Sequence, residues 1–193
     1  MIMSVIDVIP NKNELRKAAR ILRCGGVIAY PTESCFGLGC DPKNLQAVRR
    51  LLMLKRRSYR KGLILIASNV QQCHEYADIH NMPKRVEILN SWPGPNTWLL
   101  TPTHQVSRLV RGQHESIAIR VTAHSVAAAL CDAFGGAIVS TSANVQGQAS
   151  LINRDAVQRQ FGLRLDGIVS GYIGGDEKPS TIRNGFSGKI LRK

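Results

Sequence analysis

A few short polar segments carry the residue types from which a site for anions and small polar molecules can be built. Pro31-Thr32-Glu33-Ser34 follows an apolar run, and the Thr32 hydroxyl can both donate and accept a hydrogen bond. Glu33 can orient a neighbour, bind a cation or stand as a solvated loop acid, and P-T-E-S is also ordinary turn chemistry. Ser140-Thr141-Ser142-Ala143-Asn144 places hydroxyls and an amide directly after the apolar Ala137-Ile138-Val139. Polar groups there need hydrogen-bond partners or a pocket to face. Pro179-Ser180-Thr181-Ile182 and Arg192 are weaker signals of the same kind.

The cationic counterpart is the run Arg49, Arg50, Lys55, Arg56, Arg57, Arg60 and Lys61, seven positive charges with no acid among them. Lysine supplies a point charge and arginine a planar fork, a combination suited to a triphosphate. Helix C-termini and solvated faces also collect such charges, so the run by itself leaves both readings open. Arg120 is sharper. An arginine inside the apolar stretch Ile117–Val121 is rarely buried without an anion or an acid beside it.

Several chemistries lack their signatures. No G-x-x-x-x-G-K-[ST] or G-x-G-x-x-G cradle is present, so a nucleotide must be held another way. The five histidines show no H-E-x-x-H spacing, and no serine sits in a G-x-S-x-G elbow, which disfavours a zinc enzyme or a serine hydrolase. The five cysteines form no C-x-x-C pair and read as reduced thiols of a cytoplasmic protein. Met1 to Pro10 has no signal-peptide pattern, and no apolar run is long enough to span a membrane. The formal charge of +13 implies polyanionic partners such as nucleotide phosphates or RNA.

The elements that must position these residues follow from periodicity. Asn11 and Glu14 open a helix running to about Cys24, with Leu15, Ala18, Ala19 and Leu22 on its apolar face and Gly25-Gly26 as its stop. Val27–Tyr30 reads as a buried strand, and Pro31 then opens a loop through Asp41-Pro42. Leu45, Val48 and Leu52 mark a second helix, Leu63–Ile66 a strand, and Ser68 a cap for the next helix. Further strands are predicted at Thr97–Thr101, Ile117–Val121, Ala137–Ser140, Gly167–Ser170, Thr181–Arg183 and Ile190–Arg192. Helices are predicted near Pro83–Asn90, Ser125–Phe134 and Arg154–Phe161. Trp92-Pro93-Gly94-Pro95-Asn96-Thr97 reads as a rigid, mainly structural turn. Alternating elements with no linker predict a single α/β domain over residues 1–193.

In order along the chain, these segments resemble the YrdC/TsaC family. The resemblance rests on Pro31–Gly39, Lys55-Arg56-Arg57, Pro93–Thr97, Arg120-Val121, Ser140–Asn144 and Ser180-Thr181-Ile182, and is closest to the short, single-domain bacterial members. It implies an open, twisted mixed sheet flanked by helices, with a concave basic face. It also implies a threonylcarbamoyl-AMP synthase, a nucleotidyltransferase that joins L-threonine, bicarbonate or CO2, and ATP for the modification of adenosine 37 in tRNAs reading codons that begin with A. Carried over by motif, Thr32, Arg120, Ser140 and Ser180 serve threonine. Lys55 and Arg57 are the catalytic cations and, with Lys61, hold the triphosphate. Ser116, Ser142, Asn144, Ser150 and Arg192 complete the ATP site.

Mg2+ is expected with ATP, and no metal-ligand set is implied in the protein. Expected partners are tRNA or double-stranded RNA on the basic face and tRNA threonylcarbamoyl transferase proteins. Ser58, Thr122 and Gln146 depart from the commoner motif at positions that shape loops. The competing class is an RNA-binding protein that forms no adenylate. It rests on the basic excess, and the 5% aromatic content offers few stacking platforms for it.

Overall fold

The first helix, α1 (Lys12–Arg23), starts where the Asn11 side chain accepts a 2.9 Å hydrogen bond from the Glu14 amide. That bond satisfies a donor the helix leaves unpaired. Asn44 and Asn153 cap α2 (Leu45–Leu54) and α6 (Arg154–Phe161) in the same way. The computed structural model describes residues 10–176 and 179–192. The reading of the first nine residues as free of a signal peptide therefore lies outside the described residues. The remaining helices are α3 (Arg85–Asn90), α4 (Arg108–Arg111) and α5 (Ser125–Phe134).

The strands are β1 (Ile28–Pro31), β2 (Phe36–Gly39), β3 (Ile64–Ala67), β4 (Asn96–Leu100), β5 (Ile117–Val121), β6 (Ile138–Ser142), β7 (Gly167–Ile168), β8 (Thr181–Asn184) and β9 (Ile190–Arg192). They form one open, mixed nine-stranded sheet in the order β7-β1-β2-β6-β3-β5-β4-β8-β9. β1–β7, β3–β5 and β4–β8 pair in parallel, and the other neighbours are antiparallel.

The two-residue period of the strands sorts the core onto two faces. Ile28, Tyr30, Ile66 and Ile138 meet α1 and α5 through Leu15, Leu22, Val126 and Leu130. Ala29, Leu65, Ile119 and Val139 point to the other side, where Val48 and Leu51 of α2, Ile88 of α3 and Val157 of α6 cover them. Each fully buried Val, Leu or Ile among them contributes about 1.5–3 kcal/mol relative to exposure.

Two expectations are corrected. The segment after Pro31 is not all loop: β2 lies within it and pairs with both β1 and β6. Its F-G-L-G sequence hid the strand, because glycine is depleted in strands generally. Ser68 caps no helix. Its hydroxyl bonds Asp132, and only a single 3-10 turn, Gln71–Cys73, follows. The four-residue α4 gave no periodic signal.

Candidate active site

A cavity of about 390 Å³ opens on the sheet face that α1 and α5 cover in part. Its lining comes from β2 (Gly37), β3 (Ile64, Ile66), β5 (Arg120), β6 (Ser140, Ser142) and the C-terminal pair (Ser180, Arg192).

The end of α2 builds its cationic wall. Lys55 caps the helix, Arg56 follows at φ 50°, and the Arg56 and Arg57 amides bond the carbonyls of Met53 and Leu52, each at 3.0 Å. This is a Schellman turn with arginine where glycine is usual. It separates the two flanking side chains. Lys55 is buried, and its ammonium donates to the carbonyls of Ser142 and Asn144 and, at 3.0 Å, to Asn144 Oδ1. The Ser142 hydroxyl donates to the same Oδ1 at 2.6 Å. Arg57 turns into the cavity, held at 2.9 Å by the Gly62 carbonyl, and its buried Nε has no partner among the described residues.

Burial first, and then the neighbouring Arg57 charge, push the Lys55 ammonium down to about 8. Burial followed by the Arg192 charge lowers Arg57, and burial followed by the Arg120 charge lowers Arg192. Arg57 and Arg192 form no ion pair among the described residues. Three guanidinium groups thus share one hollow, and an unpaired buried donor costs about 1–3 kcal/mol until a ligand or water satisfies it.

The opposite wall is the Thr32–Cys35 turn. The Thr32 amide and hydroxyl both bond the Cys35 carbonyl, at 3.0 and 2.7 Å, which fixes the hydroxyl at the cavity edge. A Cβ on Gly37 would sit 3.3 Å from Thr32 Cγ2 and 3.5 Å from Ser140 Oγ, so glycine is what lets these groups approach.

Glu33 is 8% exposed and outside the lining. It accepts from Arg120 Nη2 at 2.8 Å, Thr122 Oγ1 at 2.7 Å and the Ala123 amide at 3.2 Å. Burial pushes its carboxyl up, but Arg120 and Thr122 outweigh that and hold it below the usual range. On the C-terminal side, Thr97 and Ser180 hydroxyls meet at 2.8 Å, and the Ser180 carbonyl accepts from Arg192 at 2.9 Å.

Of the residues expected at a site, Thr32, Arg57, Arg120, Ser140, Ser142, Ser150, Ser180 and Arg192 converge on this cavity. Lys55 and Asn144 stand one layer behind, bonded to each other. Two do not join. Lys61 is exposed in the 3-10 turn after α2, with its side chain outside the lining, and Ser116 lies before β5, four residues from Arg120. Ser34, Thr141 and Pro179 line the cavity as members of the polar segments already singled out, whereas Cys35 and Ile152 line it with no signal of their own in the sequence. Glu33 had a signal: a buried arginine in an apolar strand calls for an acid.

For Mg2+, the described residues offer no group of three His, Cys, Asp or Glu side chains, and both Glu33 oxygens are bonded within the protein.

Fold and site together define an α/β protein: a mixed sheet with a hollow lined by arginines and hydroxyl side chains. The chain belongs to the Sua5/YciO/YrdC family, whose model, described as "Telomere recombination", matches residues 20–193. A protein of Methylococcus capsulatus named threonylcarbamoyl-AMP synthase is 49% identical over 92% of this chain and 96% of its own. One of Halorhodospira halophila with the same name is 51% identical over 93% and 94%. Among solved structures, P. abyssi Sua5 complexed with L-threonine superposes with a TM-score of 0.82 at 30% identity. That match covers 88% of this chain and 50% of the P. abyssi chain.

Proposed function

We infer that this chain is a threonylcarbamoyl-AMP synthase, forming L-threonylcarbamoyl-AMP, diphosphate and water from L-threonine, bicarbonate and ATP. The observation that carries the reading is the cavity itself. Arg57, Arg120 and Arg192 line a hollow of about 390 Å³ together with the hydroxyl residues Thr32, Ser140, Ser142 and Ser180, within the usual pocket range of about 300–1,000 Å³. The threonine complex of P. abyssi Sua5 and the names of the bacterial relatives support it.

In this reading the uncharged threonine amine attacks the carbon of CO2 released from bicarbonate and loses a proton, giving a carbamate. A carbamate oxygen then attacks the α-phosphorus. The bond from that phosphorus to the oxygen bridging it to the β-phosphorus breaks, and diphosphate leaves with the electron pair. Carbamate and triphosphate repel each other, so the protein's task is to neutralise and align them. Arg120 faces the threonine carboxylate, with Thr32 and Ser140 against its polar atoms. Arg57 and Arg192 face the phosphates. Lys55 keeps the Ser142–Asn144 loop shaped to the nucleotide. No side chain serves as a covalent nucleophile. Mg2+ would come with ATP and supply charge neutralisation to the phosphates rather than be held by a set of protein carboxylates, of which the described residues offer none.

We read residues 1–193 as one YrdC-like domain acting in the cytoplasm. Its product passes to tRNA threonylcarbamoyl transferase proteins for adenosine 37, and tRNA lies on the basic surface carrying Arg49, Arg56, Arg60 and Lys61. Diphosphate release tests the reading. It should require threonine, bicarbonate and ATP together, and Arg57→Ala should lower it about 10²–10³-fold in a folded protein. Release that ignores threonine, or an unaffected variant, would overturn it.

A further inference from the structure

Glu33 is the carboxylate that touches Arg120, yet it lies outside the cavity lining. Its side chain is 11% exposed and that of Arg120 10%. One carboxylate oxygen takes the Arg120 guanidinium, and the other takes the Thr122 hydroxyl and the Ala123 amide. The Thr122 oxygen in turn accepts from the His124 amide at 3.2 Å, where α5 begins. The stretch 171–176 of the connection between β7 and β8 closes the position. The Gly174 and Asp176 amides bond the carbonyls of Thr32 and Glu33, each at 3.0 Å. A Cβ on Gly174 would lie 3.1 Å from Glu33 Cα, so the connection lies directly on it. His124 Nε2 holds the same connection through the Tyr172 carbonyl at 3.0 Å. Arg120 is thereby held at Nη2, while its buried Nε has no partner among the described residues.

We propose that Glu33 is a positioning residue for the amino-acid substrate: it fixes the Arg120 guanidinium so that the free edge meets the substrate carboxylate, and touches no substrate itself. The inference rests on the threonine and ATP reading of the cavity. A guanidinium that bonds only protein on one edge cannot swing toward the triphosphate, so Glu33 separates the anion that Arg120 takes from the anion that Arg57 and Arg192 take. Its loss then weakens threonine and not ATP.

Steady-state diphosphate release by wild type and Glu33→Gln, with threonine and ATP varied separately, tests this. Glu33→Gln keeps the shape but sets an amide N–H2 against protein donors. It should raise the threonine KM about tenfold or more with the ATP KM within about twofold. Thr122→Val, which removes one donor and keeps the charge, should raise the threonine KM less, in the same direction. In an Arg120→Met background, Glu33→Gln should add less than about threefold, because the two act as one unit. Thermal melts identify the folded variants. If Glu33→Gln does not fold, Thr122→Val decides alone.

Equal rises in both KM values, an unchanged threonine KM in a folded variant, or full additivity with Arg120→Met would overturn the positioning role. Wild type that releases no diphosphate in response to threonine would instead overturn the functional reading beneath it.

Discussion

Lys55 and Arg57 sit two positions apart yet do different work, because the turn between them sends one into the protein and the other into the hollow. The three Lys55 donors are engaged by Ser142 and Asn144, which needs the protonated ammonium. With its proton held only to about pH 8, chiefly because of burial, the loop loses a contact as pH rises through that value. The profile of kcat/KM for ATP reports the free enzyme. It should fall above about pH 8 in wild type, and Lys55→Arg, at lower overall activity, should shift that limb upward by about a pH unit or more. Coincident alkaline limbs would show that Lys55 does not set it. At the other wall, Thr32→Ala should raise the threonine KM more than the ATP KM, since its hydroxyl is already fixed by the Cys35 carbonyl at the cavity edge.

Among the elements, α2 and β2 carry most of the geometry. Arg56 holds a left-handed conformation at φ 50° to close the Schellman turn, a conformation that costs an L-residue about 1–2 kcal/mol. Arg56→Gly should therefore raise unfolding stability by about 1 kcal/mol in denaturant titration; a loss of stability would mean that the arginine side chain matters more than the backbone. In β2, a Cβ on Gly39 would lie 2.7 Å from the Val139 carbonyl, where backbone cannot yield. Gly39→Ala should cost about 1–3 kcal/mol of stability. Gly37→Ala, which presses on Thr32 and Ser140 instead, should raise the threonine KM with a smaller stability loss.

The shared lining was legible in part at this scale, because Thr32 follows β1, Arg120 lies within β5, Ser140 lies within β6 and Ser180 precedes β8, and the sheet brings all four to one cavity. Long-period signals such as α1, α5 and β5 matched their predicted limits within about two residues, the usual uncertainty at element ends. β2 was not legible, because its glycines make room for Tyr30 and Thr32 just upstream and for Val139 and Ser140 of the distant β6. The retreat of Glu33 behind Arg120 depends on the 171–176 segment arriving from the far end of the chain. The exclusion of Lys61 depends on a turn after α2 that charge alone does not reveal.

At the level of the whole molecule, the sheet order lays β2, β6, β3, β5, β4, β8 and β9 side by side, so residues from Thr32 to Arg192 reach one hollow. The charge of +13 exceeds what that hollow uses, and much of it lies on exposed side chains such as Arg49, Arg56, Arg60 and Lys61. If tRNA lies there, log affinity should fall linearly with log salt, by about 0.7–0.9 per phosphate contacted between about 50 and 200 mM. A flat dependence would remove RNA from this face. The account as a whole stands on threonine and ATP sharing the hollow, and a crystal structure with L-threonine and a non-hydrolysable ATP analogue tests that most directly. The threonine carboxylate should lie on Arg120 beside Thr32 and Ser140, with the triphosphate between Arg57 and Arg192. Either ligand bound elsewhere on the protein, with the hollow left empty of it, would contradict the account.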